Sequence, residues 1–165
     1  CDRGEEGEVR IAGPQLFKGY KDERLDIEAF DDRGRFRSGD LAVMQTDGHV
    51  TLTGRLKDVI IRKGENIAAK EIEDVLYAHP SVGAVAVIGL PDIERGERVC
   101  AVVETADGTE PLAFEEMVRA CEAAGLMRQK VPEQLVLHDG PLPRNATLKI
   151  LKYELKEALA EAPWP

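Results

Sequence analysis

The chain has 165 residues, 43% of them hydrophobic, enough for one ordinary domain or for a compact domain with part of another. Its 31 acidic and 22 basic residues leave a net charge of -9, so the summed field repels polyanions; no Lys/Arg cluster forms a stripe for phosphate neutralisation, which argues against nucleic acid as a partner. The longest apolar run, Val82 to Leu90, is too short to cross a bilayer and is interrupted by Gly83 and Gly89, and no charged-then-apolar leader opens the chain, so a cytoplasmic protein without a membrane span is expected.

In chain order, Cys1-Asp2-Arg3-Gly4 reads as the middle of a polar loop, and a preceding segment is expected. Residues 1–56 read as short strands joined by turns, with one strand at Val9 and Ile11. Leu41 to Met44 and Val50 to Leu52 flank Thr46-Asp47-Gly48, a hairpin signal in which glycine supplies the positive φ of the turn. From Lys57 the texture changes to strands alternating with amphipathic helices, which divides the chain into 1–56 and 57–165. Asp58 to Arg62 predicts a short strand. Ala69 to His79 predicts a helix, with Ile72, Val75 and Leu76 at helical spacing and Pro80 as its stop.

Val82 to Ile88 and Arg98 to Val103 are β-rich runs, joined by a loop that contains Pro91, Asp92 and Gly96. Leu112 to Ala124 predicts a second helix with Met117, Val118 and Cys121 inward and Gly125 ending it. Gln134 to Leu137 predicts a strand, and Ile150 to Glu161 a last helix with Leu151, Leu155 and Leu159 on one stripe. Cys1, Cys100 and Cys121 are odd in number and far apart, which fits reduced structural thiols better than a disulfide framework or a metal site. His49, His79 and His138 have no acidic or nucleophilic neighbours at recognisable spacing and read as surface or helix-end residues.

Glycines and charges concentrate in three segments that no packed core explains: Phe36-Arg37-Ser38-Gly39-Asp40, Gly54 to Asp58 running on to Lys63-Gly64-Glu65-Asn66-Ile67, and Pro143 to Lys149. Each is expected at an element end or in a loop, where functional groups are displayed. With Gly7-Glu8-Val9-Arg10-Ile11, Gly13, Gly19 and Tyr20, these segments give four motifs in register. The whole chain resembles the C-terminal part of the adenylate-forming superfamily, which contains acyl-CoA synthetases, luciferases and the adenylation domains of peptide synthetases. FRSGDL at 36 to 41 is similar to its GDL motif, GRLKDVIIRKGENI with Glu71-Ile72-Glu73 to its crossover motif, and PRNATLK at 143 to 149 to its C-terminal lysine motif.

The resemblance implies an α+β fold: a small C-terminal lid domain, a short sheet with about three helices, preceded by a β-rich piece of a large N-terminal domain. The reaction it implies joins a carboxylic acid, such as a fatty acid, to AMP from ATP with release of pyrophosphate, then transfers the acyl group to CoA.

It implies that Asp40 accepts hydrogen bonds from the ribose hydroxyls of ATP, with Arg55 beside it; the alternatives are an Asp bonding its own turn and an Arg in a surface ion pair. Lys149 is implied as the catalytic lysine, whose charge balances the departing pyrophosphate, against the alternative of a solvated lysine. Lys57 falls on the hinge between two lid orientations. Gly64 is implied to lie against the pantetheine of CoA, or else to be a plain turn glycine.

Two departures stand out: Leu148 where the family has glycine before the lysine, and Lys63 where many members have a second glycine. No metal ligand is assigned; magnesium, the phosphate loop and the acyl pocket are implied to belong to the upstream N-terminal domain, a partner of this piece, so the piece alone is expected to be inactive. The rival within the family is an adenylation domain that delivers to a carrier protein, against which stand the IIRKGENIAAKEIE segment and an end at Pro163-Trp164-Pro165 with no carrier module. A rival of another class is a non-catalytic interaction module that kept the lid fold.

Overall fold

The computed structural model describes residues 1–160 and has an α+β fold. Two compact units divide the chain, the first Cys1–Lys57 and the second beginning at Asp58.

The first unit is a three-stranded antiparallel sheet in the order β1 (Glu6–Ile11), β2 (Phe36–Met44), β3 (Val50–Arg55). β2 and β3 form the hairpin that Asp47-Gly48 predicts, with Gly48 at φ 92 and the Gln45 N–H donating to His49 O at 2.7 Å. Between β1 and β2 runs a long connection that contains a single-turn helix, α1 (Asp26–Ala29), absent from the all-strand sequence reading.

Two clusters hold that connection. Phe17 packs on Tyr20, Phe30 and Phe36 with ring centroids 5.1, 5.3 and 5.2 Å away, in edge-on and tilted contacts that suit the ring quadrupole. Beside it the Asp31 carboxylate, 1% exposed, accepts from Arg10 Nη1 at 2.7 Å, Arg35 Nε at 2.8 Å and the backbone N–H groups of Arg33 and Arg35 at 3.0 and 2.9 Å. Burial by itself raises this carboxyl, but the donated N–H bonds and the two guanidinium groups outweigh it and hold it well below the usual carboxylate range.

The second unit contains a five-stranded sheet. β4 (Val59–Arg62) and β5 (Glu65–Ala68) form a hairpin, and β6 (Val82–Asp92) and β7 (Gly96–Thr105) a longer one. β7 meets β4 at Gly96 and runs parallel to β8 (Gln134–Leu137) from Cys100 to Val103. Among the described residues three α-helices complete the unit: α2 (Ala69–Tyr77), α3 (Phe114–Ala123) and α4 (Lys152–Leu159).

The two-residue period of β6 and β7 sorts their side chains to opposite faces. Val85, Val87, Val99, Ala101 and Val103 join Ile72 and Leu76 of α2 and Met117 and Cys121 of α3 in one core. Ala84, Ala86, Ile88, Leu90, Cys100 and Val102 join Leu142 and Leu155 in a second. Burial on both faces explains why these strands read as continuous apolar runs rather than alternating ones.

The sequence boundaries shift where the backbone has a reason to continue. Pro91 and Asp92 lie inside β6 rather than in a loop, because β6 is an outer strand and tolerates a residue without an N–H. Glu65–Ala68, read as part of a loop motif, is a strand paired with β4. The last helix begins at Lys152, with Leu151 as its cap and Leu155 buried; its expected end at Glu161 lies outside the described residues. The three cysteines are free, and burial pushes the thiols of Cys100 and Cys121 up to about 12 and about 11, which leaves them protonated and inert. His49 is a surface residue as expected, but it does have an acidic neighbour, since its Nδ1 stands 3.1 Å from Asp47 Oδ2.

Candidate functional site

In the first unit the segment at 36 to 41 opens β2 and runs past its middle, made irregular by two bulges. The register with β1 slips between Glu8 and Arg10, and that with β3 between Leu41 and Ala42. A bulge re-aims the side chains beside it. Gly39 takes φ 70, the Ser38 hydroxyl donates to Val9 O at 2.7 Å, and the Asp40 N–H donates back to Ser38 Oγ at 3.0 Å.

Asp40 then faces Arg55 across the β2/β3 pair, and Arg55 Nε meets Asp40 Oδ1 at 2.8 Å. Thus two sequence-predicted ribose residues come together, and the ion pair named as an alternative for Arg55 is present, with Asp40 as its partner. Asp40 keeps 29% of its side chain exposed beside the Arg55 guanidinium. A partly exposed carboxylate with two acceptor oxygens fits a vicinal diol, which donates two O–H groups.

Lys57 is exposed in a 3-10 turn, Leu56–Asp58, that leads into β4. Gly64 is exposed in the two-residue turn between β4 and β5, where Arg62 pairs with Glu65. Lys63 at φ 50 and Gly64 at φ 81 both have the positive φ that a type I′ turn demands. The space a Cβ at Gly64 would enter is open. Backbone conformation therefore requires the glycine, and the bare turn presents its main chain to solvent.

Lys149 is exposed on the loop between β8 and α4. Asn145 organises this loop: its Oδ1 accepts from Thr147 N at 3.0 Å, Thr147 Oγ1 at 2.8 Å and Lys149 N at 2.9 Å, while its own N–H donates to Lys149 O at 3.0 Å. The Leu151 N–H closes the base of the loop on Pro143 O at 2.8 Å. Leu148, the departure from the family's glycine, adopts φ 63 all the same, and its side chain is 73% exposed. Lys63 and Leu148 are the two non-glycine residues with positive φ among the described residues, and they are the two departures from glycine that the sequence reading named. Lys149's main chain is thus fixed, and among the described residues no acidic group pairs with its ammonium.

Gly64 and Lys149 occupy separate loops of the second unit, and no hydrogen bond joins them among the described residues. Sequence reasoning missed three charged groups. Asp31 was hidden because its partners converge only through the β1/β2 register. Glu133 was hidden for the same kind of reason: it joins Arg62, Arg95 at 3.1 Å and the Val99 N–H at 2.9 Å. Lys152, which meets Glu73 and Asp58, follows Lys149 by three residues and read only as part of a helix. Among the described residues no group of three or more His, Cys, Asp or Glu is placed to hold a metal ion, and no helix is long and apolar enough to cross a membrane.

Comparison with known proteins gives the class. The chain belongs to the adenylate-forming, AMP-binding enzymes, and residues 71–149 match the AMP-binding enzyme C-terminal domain family. It is 39% identical over 155 residues to a medium-chain fatty-acid–CoA ligase of Escherichia coli, covering 93% of this chain and 27% of that protein. It is also 39% identical over 163 residues to a salicyl-AMP ligase / salicyl-S-ArCP synthetase of Mycobacterium tuberculosis, covering 98% of this chain and 28% of that one. Among solved structures, ATP-bound MatB from Rhodopseudomonas palustris superposes with a TM-score of 0.87 at 34% identity, over 98% of this chain and 32% of MatB. The chain therefore spans less than a third of each of these relatives.

Proposed function

We propose that this chain supplies the nucleotide-ribose contact and the catalytic lysine of an ATP-dependent, AMP-forming acyl-CoA ligase acting on a carboxylic acid of the fatty-acid class. The observation that carries the reading is the exposed Lys149 ammonium on a loop whose backbone is pinned by Asn145. A compact cation held in place costs no reorganisation when negative charge develops on the departing pyrophosphate. In the first half-reaction a carboxylate oxygen of the acid attacks the α-phosphorus of ATP and pyrophosphate leaves. In the second, the CoA thiolate attacks the acyl carbon and AMP leaves.

Asp40 and Arg55 would hold the ribose, Gly64 would lie along the pantetheine arm of CoA, and Lys57 would be the hinge between the two half-reactions. Magnesium accompanies ATP and is assigned to the upstream N-terminal domain, together with the acyl pocket. Cytoplasmic location belongs to the same proposal, since ATP and CoA are drawn from that compartment. Delivery to a carrier protein is the second reading, favoured by the equal 39% identity to a fatty-acid–CoA ligase and to a salicyl-S-ArCP synthetase.

The test is made in the full-length enzyme that carries this chain. Lys149→Ala should slow pyrophosphate exchange by about a hundredfold to a thousandfold and leave thioester formation from preformed acyl-AMP much less affected. Gly64→Leu should do the reverse. Equal loss of both half-reactions in Lys149→Ala, or of neither, removes the assignment. Thioester formation with a carrier protein and none with CoA selects the second reading. The isolated 165-residue chain should show no useful turnover.

A further inference from the structure

We propose that Lys152 is a positioning residue for Lys149, holding the lysine loop to the segment that follows Lys57 through a shared ion-pair node. This rests on the assignment of Lys149 as the adenylation lysine. Lys152 opens α4, three residues after Lys149, and its Nζ stands 2.7 Å from Glu73 Oε1 of α2 and 3.5 Å from Asp58 Oδ2, just before β4. The three side chains are only 18%, 21% and 32% exposed for Lys152, Glu73 and Asp58, so screening by solvent is reduced relative to a surface pair. Glu73 Oε1 is itself fixed, because it also accepts the Val87 N–H of β6 at 2.7 Å.

The geometry gives the node a direction. Glu73 is anchored to the sheet, and Lys152 is the cation shared by Glu73 and Asp58. Without it, two partly shielded carboxylates face each other and repel. The start of α4 then loses its tie, and with it the second stem of the loop, since Leu151, next to Lys152, closes the loop on Pro143. The first stem is held separately: Glu104 Oε2 accepts the Leu142 N–H at 2.9 Å and lies 3.6 Å from Arg144 Nη2. Asn145 fixes the loop's internal shape; Lys152 fixes where that shape sits on the unit. Asp58 directly follows Lys57, so a torsional change at that residue carries Asp58 and, through Lys152, the loop that presents Lys149. None of these residues touches the reacting atoms in this reading, and a misplaced ammonium is the whole expected effect.

The experiment compares Lys152→Met, Lys152→Arg and Lys149→Ala in the full-length enzyme by pyrophosphate exchange. Lys152→Met removes the charge and keeps much of the side chain's length; it should lower kcat about tenfold to a hundredfold, with KM for ATP changed less than about twofold, as expected for displacement of a catalytic group by about an ångström. Lys152→Arg should recover most of the rate, which a merely space-filling role would not predict. Asp58→Asn, which keeps the Lys152–Glu73 contact, gives a milder variant should Lys152→Met fail to fold, and it should lower kcat in the same sense. A normal kcat in Lys152→Met or in a folded Asp58→Asn overturns the proposal, as does a loss confined to KM or one that arginine does not recover. Lys149→Ala separates the two readings: if it leaves exchange intact, the functional assignment fails; if it cripples exchange while the Lys152 variants do not, only the positioning role fails.

Discussion

The two units of the chain are stabilised by different means. The second buries apolar side chains on both faces of β6 and β7, and its α2, α3 and α4 each contribute residues to one of two cores. The first has Leu41 and Ala42 as its buried hydrophobic residues, leaves Val50 and Leu52 52% and 58% exposed, and relies on an aromatic cluster and the carboxylate of Asp31. Burial-driven stability is insensitive to pH and intolerant of cavities; a polar clasp around one carboxylate is the reverse. The second unit therefore has what an independently folding domain needs, whereas the first is the part expected to gain most from further chain packed on it.

The largest effect should come from a cavity in the second unit. Ile72→Ala, at a fully buried site on α2, should cost about 2–5 kcal/mol. Amide NMR signals from residue 58 onward should broaden or vanish together in denaturant, while those of 1–57 change midpoint little; a shared loss would mean that the two units unfold as one. Phe17→Ala, at a residue still 41% exposed, should cost the first unit about 1–3 kcal/mol and leave the second unmoved.

Acid should separate the units in the opposite sense. Because the folded Asp31 carboxyl lies well below its ordinary value, its contribution is full above the unfolded value of about 3.9 and is lost as pH falls from there through the folded value. Signals of Arg33 and Arg35 should therefore shift before those of β6 and β7 on acid titration, and Asp31→Asn should abolish that difference. Smallest are the two strained turns. Leu148→Gly should stabilise the second unit by about 1 kcal/mol net of added chain entropy, with Lys63→Gly worth about half that. Thermal midpoints that fall in either variant would mean the native side chain makes a contact worth more than the strain.

Much of this was legible in the sequence where a single segment carries its own signal. The Asp47-Gly48 hairpin, the apolar stripes of α2 and α3, and the motif segments holding Asp40, Arg55, Gly64 and Lys149 are of that kind. What escaped depends on register or on distant partners. That Asp40 would face Arg55 follows from a bulged strand pairing, and a bulge changes which side chain opposes which without leaving a mark in composition. The β5 strand was hidden because Lys63-Gly64-Glu65-Asn66 reads as loop chemistry, although Lys63-Gly64 is a two-residue turn that implies strands on both sides. Leu148 replaces the glycine that the resemblance leads one to expect, yet the backbone keeps a positive φ: the Asn145 hydrogen bonds hold the loop firmly enough to impose φ 63 on a leucine.

β6 carries a further consequence. It is eleven residues long, largely apolar, and forms an outer margin of its sheet, the kind of strand onto which a second chain adds its own and from which aggregates grow. Two of its outward hydrogen-bonding positions are blocked. The N–H of Val87 is already taken by Glu73, and Pro91, two periods along and facing the same way, has none to offer. An approaching strand meets a carboxylate at one position and a missing donor at the other, so replacement of Glu73 by a neutral, shorter side chain should show first as turbidity at high concentration.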